Sequence, residues 1–347
     1  MDYLMNCWYM AGWSDDVPGS QLVARTFLDQ PVVMFRRSDG TPAALLDRCP
    51  HRVVPLSRGI HLGNAVQCAY HGLRFDGSGA CIQNPHGAIP PAARVKSFPM
   101  ADAHGILWIW MGDEPPVEEA IPDLSHIQAL PALAQSKGTM PSACSYLLII
   151  DNVADLSHVE YLHASTLGGG AFIGSRPRVA GSENDTVVTI TQLSEAVAAP
   201  PVYDRFLATP GVKVDLMNRV TWMAPGVLKL DISVVPVGEA PESGLRTFNA
   251  HIVTPCTATT SHYWYWLGRD YRPEDADLTR LRQALMTDVF HVEDKPILEA
   301  QQALLGTTDL YAAHPVLMGT DGGPTRIRRS LGRLMSAASD NRVSSAQ

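Results

Sequence analysis

The chain has 347 residues, of which 46% are hydrophobic and 18% are charged. This composition excludes an intrinsically disordered protein, and the length predicts two domains, because a single core rarely grows past roughly 250–300 residues. The formal net charge of −8 removes the electrostatic basis for binding nucleic acid. Six cysteines are too few for a disulfide scaffold in so long a chain, so they call for another explanation.

The chain begins without the basic and apolar segments of a signal peptide. Its central aliphatic run, residues 147–150, is far shorter than the roughly 20 residues of a membrane span. We therefore expect a cytoplasmic protein without membrane contact.

Short strands and turns are predicted for the first third of the chain. The apolar runs 32–35 and 43–46 flank the turn sequence 38–40, which is a hairpin pattern. The aromatic-rich run 106–110 is a further strand, and it is followed by a stretch rich in proline and acidic residues. We place the domain boundary in that stretch, which gives domains 1–116 and 117–347.

The remainder of the chain mixes strand and helix patterns. Residues 186–191, 221–235 and 262–267 are predicted strands. Residues 275–305 have apolar positions three and four apart, which predicts an amphipathic helix. These positions are Leu278, Leu281, Leu285, Val289 and Val292. The prediction is a β-rich first domain followed by an α+β domain with a long C-terminal helix.

Two short motifs in the first domain combine cysteine with histidine. Cys49 and His51 form a Cys-x-His pair, and after sixteen intervening residues Cys68 and His71 form a Cys-x-x-His pair. Such a set can hold one zinc ion, or a two-iron, two-sulfide cluster in which two His replace two Cys on one iron. The spacing alone leaves both possibilities open.

The residues around these pairs resemble the Rieske domain of Rieske non-haem iron oxygenases. The matching sequences are Cys-Pro-His-Arg at 49–52 and Cys-Ala-Tyr-His-Gly at 68–72. The resemblance implies a [2Fe–2S] cluster with Cys49 and Cys68 on one iron and His51 and His71 on the other. The other cysteines have no partner pattern and are interpreted as structural; they are Cys7, Cys81, Cys144 and Cys256.

A second constellation lies at residues 151–163. His158 and His163 are five residues apart and do not share a face of a straight α-helix, so the helix must end or distort if both bind one metal. Non-haem iron oxygenases use two His and one carboxylate, with open positions on the metal. The family pattern Asn-x-x-Asp-x-x-His-x-x-x-x-His is matched by Asn152, Asp155, His158 and His163.

The resemblance also implies the remaining roles in this site. The third ligand is an Asp on a late helix, for which we choose Asp294, with Asp288 and Glu299 as alternatives. Asp155, three residues before His158, is placed to accept the ring N–H of that histidine. In the family this Asp bridges to a Rieske histidine, here His71, of a neighbouring subunit in a homotrimer.

The start of the chain at residues 6–13 and its total length resemble the vanillate and dicamba O-demethylase branch. This implies O2-dependent O-demethylation of a methoxy-aromatic compound, with formaldehyde released. Electrons would come from NADH through a separate flavin/iron–sulfur reductase, or a reductase with a ferredoxin, because the glycines at 168–170 lack the context of a dinucleotide site. His251 lies on a strand that contacts substrate in this branch, whereas no Arg is clearly placed to hold an acid group.

Other activities remain open at this point. Ring cis-dihydroxylation, ring-methyl hydroxylation and N-demethylation use the same metals. A non-enzymatic zinc or electron-transfer module is a further alternative, since a cluster alone makes an electron carrier.

Overall fold

The computed structural model describes residues 3–182 and 184–345; residues 1–2, 183 and 346–347 of the predicted domains lie outside this part. The chain divides into two compact units. The N-terminal unit consists of Met5–Ile121 and Thr254–Ala258, and the C-terminal unit contains the other described residues. Within the described residues, no helix is both long enough and apolar enough to cross a membrane.

The N-terminal unit is built from short antiparallel strands. In chain order they are β1 (Cys7–Trp13), β2 (Val23–Phe27), β3 (Gln30–Arg36), β4 (Pro42–Leu46), β5 (Ile60–His61), β6 (Ala65–Gln67), β7 (Arg74–Asp76), β8 (Cys81–Gln83), β9 (Ser97–Phe98), β10 (Met100–Ala103) and β11 (Ile106–Met111). They form three sheets with the orders β1-β11-β10, β2-β3-β4-β9 and β5-β6-β7-β8. Single 3-10 turns lie at Ser14–Asp16, Leu56–Arg58 and Glu118–Ala120.

The predicted hairpin and the predicted aromatic strand are both present in this unit. Val32 on β3 lies opposite Leu46 on β4. All residues of β11 are buried, which explains why its sequence does not alternate with polar residues. Cys49 and Cys68 lie in a core with Phe35, Leu45 and Phe75, so the two Cys–His loops are attached to a hydrophobic core of the unit.

The C-terminal unit contains one seven-stranded sheet. Its strands are β12 (Gln135–Ser142), β13 (Arg178–Gly181), β14 (Val187–Ala198), β15 (Lys213–Met223), β16 (Val227–Pro236), β17 (Leu245–Thr257) and β18 (Thr260–Arg269). The order across the sheet is β12-β18-β17-β16-β15-β14-β13. Burial alternates along β15, where Leu216, Asn218 and Val220 are buried, because successive side chains of a strand point to opposite faces.

The C-terminal unit also contains helices. They are α1 (Ser125–Gln128), α2 (Tyr146–Ala154), α3 (Val159–Leu162), α4 (Pro201–Asp204), α5 (Ala276–Asp288), α6 (Lys295–Leu305) and α7 (Gly322–Ser345). A π-helical segment, Val289–Asp294, joins α5 to α6. Short 3-10 turns lie at Ala132–Ala134, Leu156–His158, Pro241–Ser243 and Leu310–Ala313. The predicted α+β class, with an all-β first domain and an antiparallel sheet carrying a long C-terminal helix in the second, is confirmed.

The helix predicted at 275–305 is present but differs in detail. It contains the π-helical segment, and Leu281 and Val292 are 50% and 66% exposed instead of buried. Leu278 and Val289 are buried as predicted, and burial continues at Phe290, Asp294 and Leu298. The π-helical segment shifts the residues after Val289 out of the 3.6-residue period.

An ion pair links α7 to α2. Arg328 Nε and Nη2 lie 2.9 and 2.6 Å from Asp151 Oδ2, and the two side chains are 8% and 17% exposed. Burial raises the pKa of the Asp151 carboxyl, and the charge of Arg328 opposes that effect. Removal of the arginine would therefore leave a buried carboxylate without a countercharge.

We expect Arg328→Met to lower the free energy of unfolding of the C-terminal unit by about 3 kcal/mol, since one partner of a buried pair is lost. Urea denaturation followed by tryptophan fluorescence measures this change. The matched control is Arg329→Met, because Arg329 is the next residue and is exposed. Equal midpoints for the two variants would contradict the prediction.

Candidate active site

The two Cys–His loops of the N-terminal unit share one backbone conformation. The N–H of Cys49 donates to the carbonyl five residues on at 2.9 Å, and its own carbonyl accepts from the N–H four residues on at 2.9 Å. The same two bonds at Cys68 measure 2.8 and 3.1 Å. The fourth residue is Val53 in one loop and Gly72 in the other, with φ of 61° and 71°. Glycine adopts this left-handed conformation freely but valine does not, so the surrounding fold holds the first loop in this shape.

These matched loops arrange the four predicted cluster ligands. Cys49 and Cys68 are each 1% exposed, whereas the imidazole rings of His51 and His71 lie nearer the surface with their centroids 4.5 Å apart. Burial raises the pKa of the Cys49 thiol, so a thiolate there needs a metal to take up its charge. Burial and the charge of His51 lower the pKa of His71, which favours the neutral form of the ring, the form that binds metal. The donor set fits a centre with two thiolates inside and two imidazoles outside.

A second group of ligand atoms converges in the C-terminal unit. One ligand atom from each of His158, His163 and Asp294 lies within 4.8 Å of the others. Asp294 Oδ1 is 3.2 Å from His163 Nε2 and 3.8 Å from His158 Nε2. Two imidazoles and one carboxylate at these separations could hold one metal ion and leave positions open for other ligands.

The chain conformation around the two histidines explains how they meet. Helix α2 ends at Ala154, a 3-10 turn follows at Leu156–His158, and α3 provides one turn before His163. The helix is therefore interrupted, as the five-residue spacing of the histidines required. The third residue, Asp294, is the last residue of the π-helical segment.

Glu293, which sequence reasoning missed, binds the other side of His163. Its Oε2 lies 2.5 Å from His163 Nδ1 and also accepts a hydrogen bond of 2.9 Å from Thr166 Oγ1. Burial alone would lower the pKa of His163, but Asp294 and Glu293 raise it. The contact fixes the ring tautomer with the proton on Nδ1 and leaves Nε2 facing Asp294. The sequence signal for this role was the pair of successive acids Glu293 and Asp294. Adjacent side chains of a regular α-helix point about 100° apart, so the sequence did not predict that both contact one ring.

Asn152 and Asp155 both lie close to His158. Asn152 Nδ2 donates to Asp294 Oδ1 at 3.0 Å and is 3.4 Å from His158 Nε2. His158 Nδ1 lies 2.6 Å from the backbone carbonyl of Asp155. The Asp155 carboxylate does not take that ring N–H, contrary to our expectation; it accepts the backbone N–H of Ser157 at 2.9 Å, because Asp155 is the N-cap of the 3-10 turn.

The alternative third ligands do not join this group. Asp288 is exposed. Glu299 accepts the backbone N–H of Ala143 at 2.8 Å and lies 3.7 Å from Lys295. Among the described residues, the carboxylate that meets both histidines is that of Asp294.

The three residues form part of the wall of a cavity of about 850 Å³, a volume that includes its open mouth. This size suits a small organic ligand. Most of the wall is apolar, and its larger apolar side chains are Leu156, Leu167, Phe172, Leu216, Leu230, Ile232, Met286 and Phe290. The candidate metal site therefore opens into a water-poor space.

Buried polar atoms without partners lie on the strands that line this cavity. Among the described residues, both side-chain polar atoms of Asn218, Oδ1 of Asn249 and Nε2 of His251 make no hydrogen bond. His251 Nδ1 is 2.6 Å from the hydroxyl of Tyr263, and burial lowers the pKa of His251 to about 4, so the ring is neutral near pH 7. Unpaired buried groups are costly, and a polar substituent of a ligand would satisfy them.

We expect Glu293→Gln to weaken Fe²⁺ binding to the C-terminal unit roughly 10- to 100-fold, since loss of a carboxylate behind a ligand histidine typically has that effect. The measurement is iron retention in competition with a chelator, with the visible absorbance of the N-terminal unit as an internal reference. Glu299→Gln is the control, because Glu299 does not touch His163. Equal retention by both variants would show that Glu293 does not support the site.

Comparison with known families assigns both units. Residues 7–99 match the Rieske [2Fe-2S] domain, and residues 142–337 match the C-terminal domain of the vanillate O-demethylase oxygenase. These matches exclude the zinc module and the simple electron carrier that the sequence had left open.

Relatives align over nearly the whole chain. The oxygenase component of dicamba O-demethylase from Stenotrophomonas maltophilia is 32% identical, over 96% of this chain and 98% of the relative. The oxygenase component of chloroacetanilide N-alkylformylase from Rhizorhabdus wittichii is 34% identical, over 95% and 94%. A crystal structure of dicamba monooxygenase bound to 3,6-dichlorosalicylic acid superposes with a TM-score of 0.89 at 30% identity, covering 97% of this chain and 99% of the other.

The fold, both domain matches and the relatives agree with one another. The chain therefore belongs to the oxygenase components of the Rieske non-haem iron monooxygenases, enzymes with a [2Fe–2S] cluster and a mononuclear iron, in the branch of the dicamba and vanillate O-demethylases.

Proposed function

We propose that this protein removes the methyl group of a methoxy-aromatic compound and releases formaldehyde. The observation that carries the proposal is the convergence of His158, His163 and Asp294 at the wall of an apolar cavity large enough for an aromatic ring. The names of similar proteins support this reaction, since one relative is a dicamba O-demethylase and the matched family is that of vanillate O-demethylase.

In this proposal each unit holds one metal centre. The cluster belongs to domain 1–116 and the mononuclear iron to domain 117–347. Cys49 and Cys68 bind one iron of the cluster, and His51 and His71 bind the other. His158, His163 and Asp294 bind Fe²⁺. When bound, the cluster supplies single electrons to the iron, which activates O2 for hydroxylation of the methyl group.

The surrounding side chains position these ligands and the substrate. Glu293 holds the ring of His163, and Asn152 donates to Asp294 and so limits the rotation of its carboxylate. The apolar wall excludes water and holds the aromatic ring. His251 and Asn218 supply polar atoms for a ring substituent, since both have unpaired buried atoms among the described residues. Hydroxylation of the methyl group yields a hemiacetal, which breaks down to a phenol and formaldehyde.

Electron delivery requires partners. We infer that NADH is oxidised by a separate reductase, alone or with a ferredoxin, in the cytoplasm. Following the family, His71 of one subunit and Asp155 and His158 of its neighbour form the electron bridge of a homotrimer. The Asp155 carboxylate is compatible with this role, because only one of its oxygens has a hydrogen-bond partner among the described residues, the N–H of Ser157.

A second candidate reaction is oxidative N-dealkylation. It is favoured by one relative, which is named an N-alkylformylase. Either reaction begins by hydroxylating a carbon attached to a heteroatom, so the same iron site would serve both. Product analysis separates them, and it also separates ring-methyl hydroxylation and ring cis-dihydroxylation, which release no formaldehyde.

With a surrogate reductase, NADH and a panel of methoxy-aromatic compounds, we expect formaldehyde and the matching phenol in equal amounts. His158→Ala should abolish both products while the visible spectrum of the cluster is kept. A panel of N-methyl anilines run in parallel tests the second reaction. A cis-diol or a benzylic alcohol without formaldehyde would refute the proposed O-demethylation.

We expect Asp155→Asn to retain iron in both centres but to lower turnover at least 100-fold, because a neutral amide is a poor bridge between a cluster histidine and an iron-ligand histidine. Single-turnover kinetics that follow reoxidation of the cluster measure the step directly. Asp288→Asn is the control, since Asp288 is exposed and outside the site. Normal cluster reoxidation in Asp155→Asn would exclude the bridge.

A further inference from the structure

One side chain of the cavity wall differs in kind from all the others. Arg282 is the only arginine or lysine among the described residues that line the cavity. It lies on α5 four residues before Met286 and seven before Val289, which also line the cavity. This spacing places all three on one face of the helix, so the arginine belongs to the cavity side and not to the solvent side.

Arg282 has a neutral partner but no countercharge. Its Nη1 donates a hydrogen bond of 2.8 Å to the hydroxyl of Tyr271, and its guanidinium carbon lies 5.9 Å from the centre of that ring. No carboxylate of the described residues forms an ion pair with it. By contrast, the exposed residues Arg280 and Arg272, close to it in the sequence, are paired with Asp277 and Asp275.

The surroundings of Arg282 raise the free-energy cost of leaving its guanidinium without a countercharge. Arg269 is 1% exposed. Its pKa is lowered chiefly by burial and next by the charge of nearby Arg282. Tyr271, to which Arg282 is hydrogen-bonded, is buried in one hydrophobic cluster with Leu278 and Tyr203, so water screens the charge poorly. A half-buried guanidinium beside a second guanidinium favours the arrival of an anion.

We propose that Arg282 binds an anionic substituent of the substrate, which makes the preferred substrates methoxy-aromatic acids such as carboxylates or sulfonates. This inference rests on the proposed use of the cavity as the substrate site. The planar guanidinium matches the two oxygens of a carboxylate, and the apolar wall strengthens their attraction. A neutral ligand of the same shape leaves the arginine without a countercharge.

The position of Arg282 also indicates where the anion lies relative to the reacting methyl group. Arg282 and Asp294 are twelve residues, about three helical turns, apart on the stretch formed by α5 and the π-helical segment. The arginine and the metal ligands therefore line opposite ends of this stretch of the wall. The substrate should carry its acid group across the ring from the methoxy group or on a second ring.

The experiment compares acids with neutral isosteres in direct binding. The ligands are 4-methoxybenzoate, 4-methoxycinnamate and 6-methoxy-2-naphthoate, each paired with its carboxamide. Isothermal titration calorimetry of the holoenzyme should show at least one acid binding roughly 10- to 100-fold more tightly than its amide. In Arg282→Gln that preference should disappear, whereas Arg280→Gln, on the exposed side of α5, should keep it.

Each outcome decides the inference. Equal affinity of acid and amide in all three pairs, no measurable binding of any acid, or a preference that survives in Arg282→Gln would overturn it. Turnover is measured separately on the same compounds. If the acids bind in a manner that depends on Arg282 but no formaldehyde is released, the proposed reaction is contradicted and the anion site stands. If formaldehyde is released but acids bind no better than amides, the anion site is contradicted and the proposed reaction stands.

Discussion

The contacts of His163 with two successive acids are the constraint on which the candidate active site depends. Asp294 approaches one ring nitrogen and Glu293 the other, so the ring is fixed between two carboxylates. These acids come from the late helix, whereas the histidine follows α3, and the contacts therefore join chain segments about 130 residues apart. Without this junction, the ligand atoms of the C-terminal unit would not meet.

Both acids of this junction lie in the π-helical segment. In a regular α-helix, adjacent side chains diverge by about 100°, and two of them do not face the same small ring. Glu293 and Asp294 are the last two residues of the π-helical segment Val289–Asp294, and there their carboxylates reach both nitrogens of His163. Such π-helical segments are frequently found at functional sites, which agrees with its position here.

The cavity combines an apolar wall with a few polar groups that, among the described residues, lack part of their hydrogen-bond partners or a countercharge. Asn218, Asn249 and His251 are buried at the sheet, and Arg282 lies on the helix. Each of these groups reduces stability when it has no partner, because burial removes it from water. A ligand that supplies the partners recovers that free energy as affinity, so the same groups that weaken the empty cavity determine its selectivity.

The candidate donor sets could be predicted from the sequence. Cys49, His51, Cys68 and His71 were identifiable because ligand spacing within a tight loop is a local property, and the strands and the late helix followed from local hydrophobic patterns. The roles of Glu293 and Arg282 and the backbone contact of Asp155 became visible only in the folded chain. Each depends on the direction in which a helix presents its side chains or on a contact between segments distant in sequence. A turn of π-helix or a cap residue changes that direction without leaving a recognisable sequence pattern.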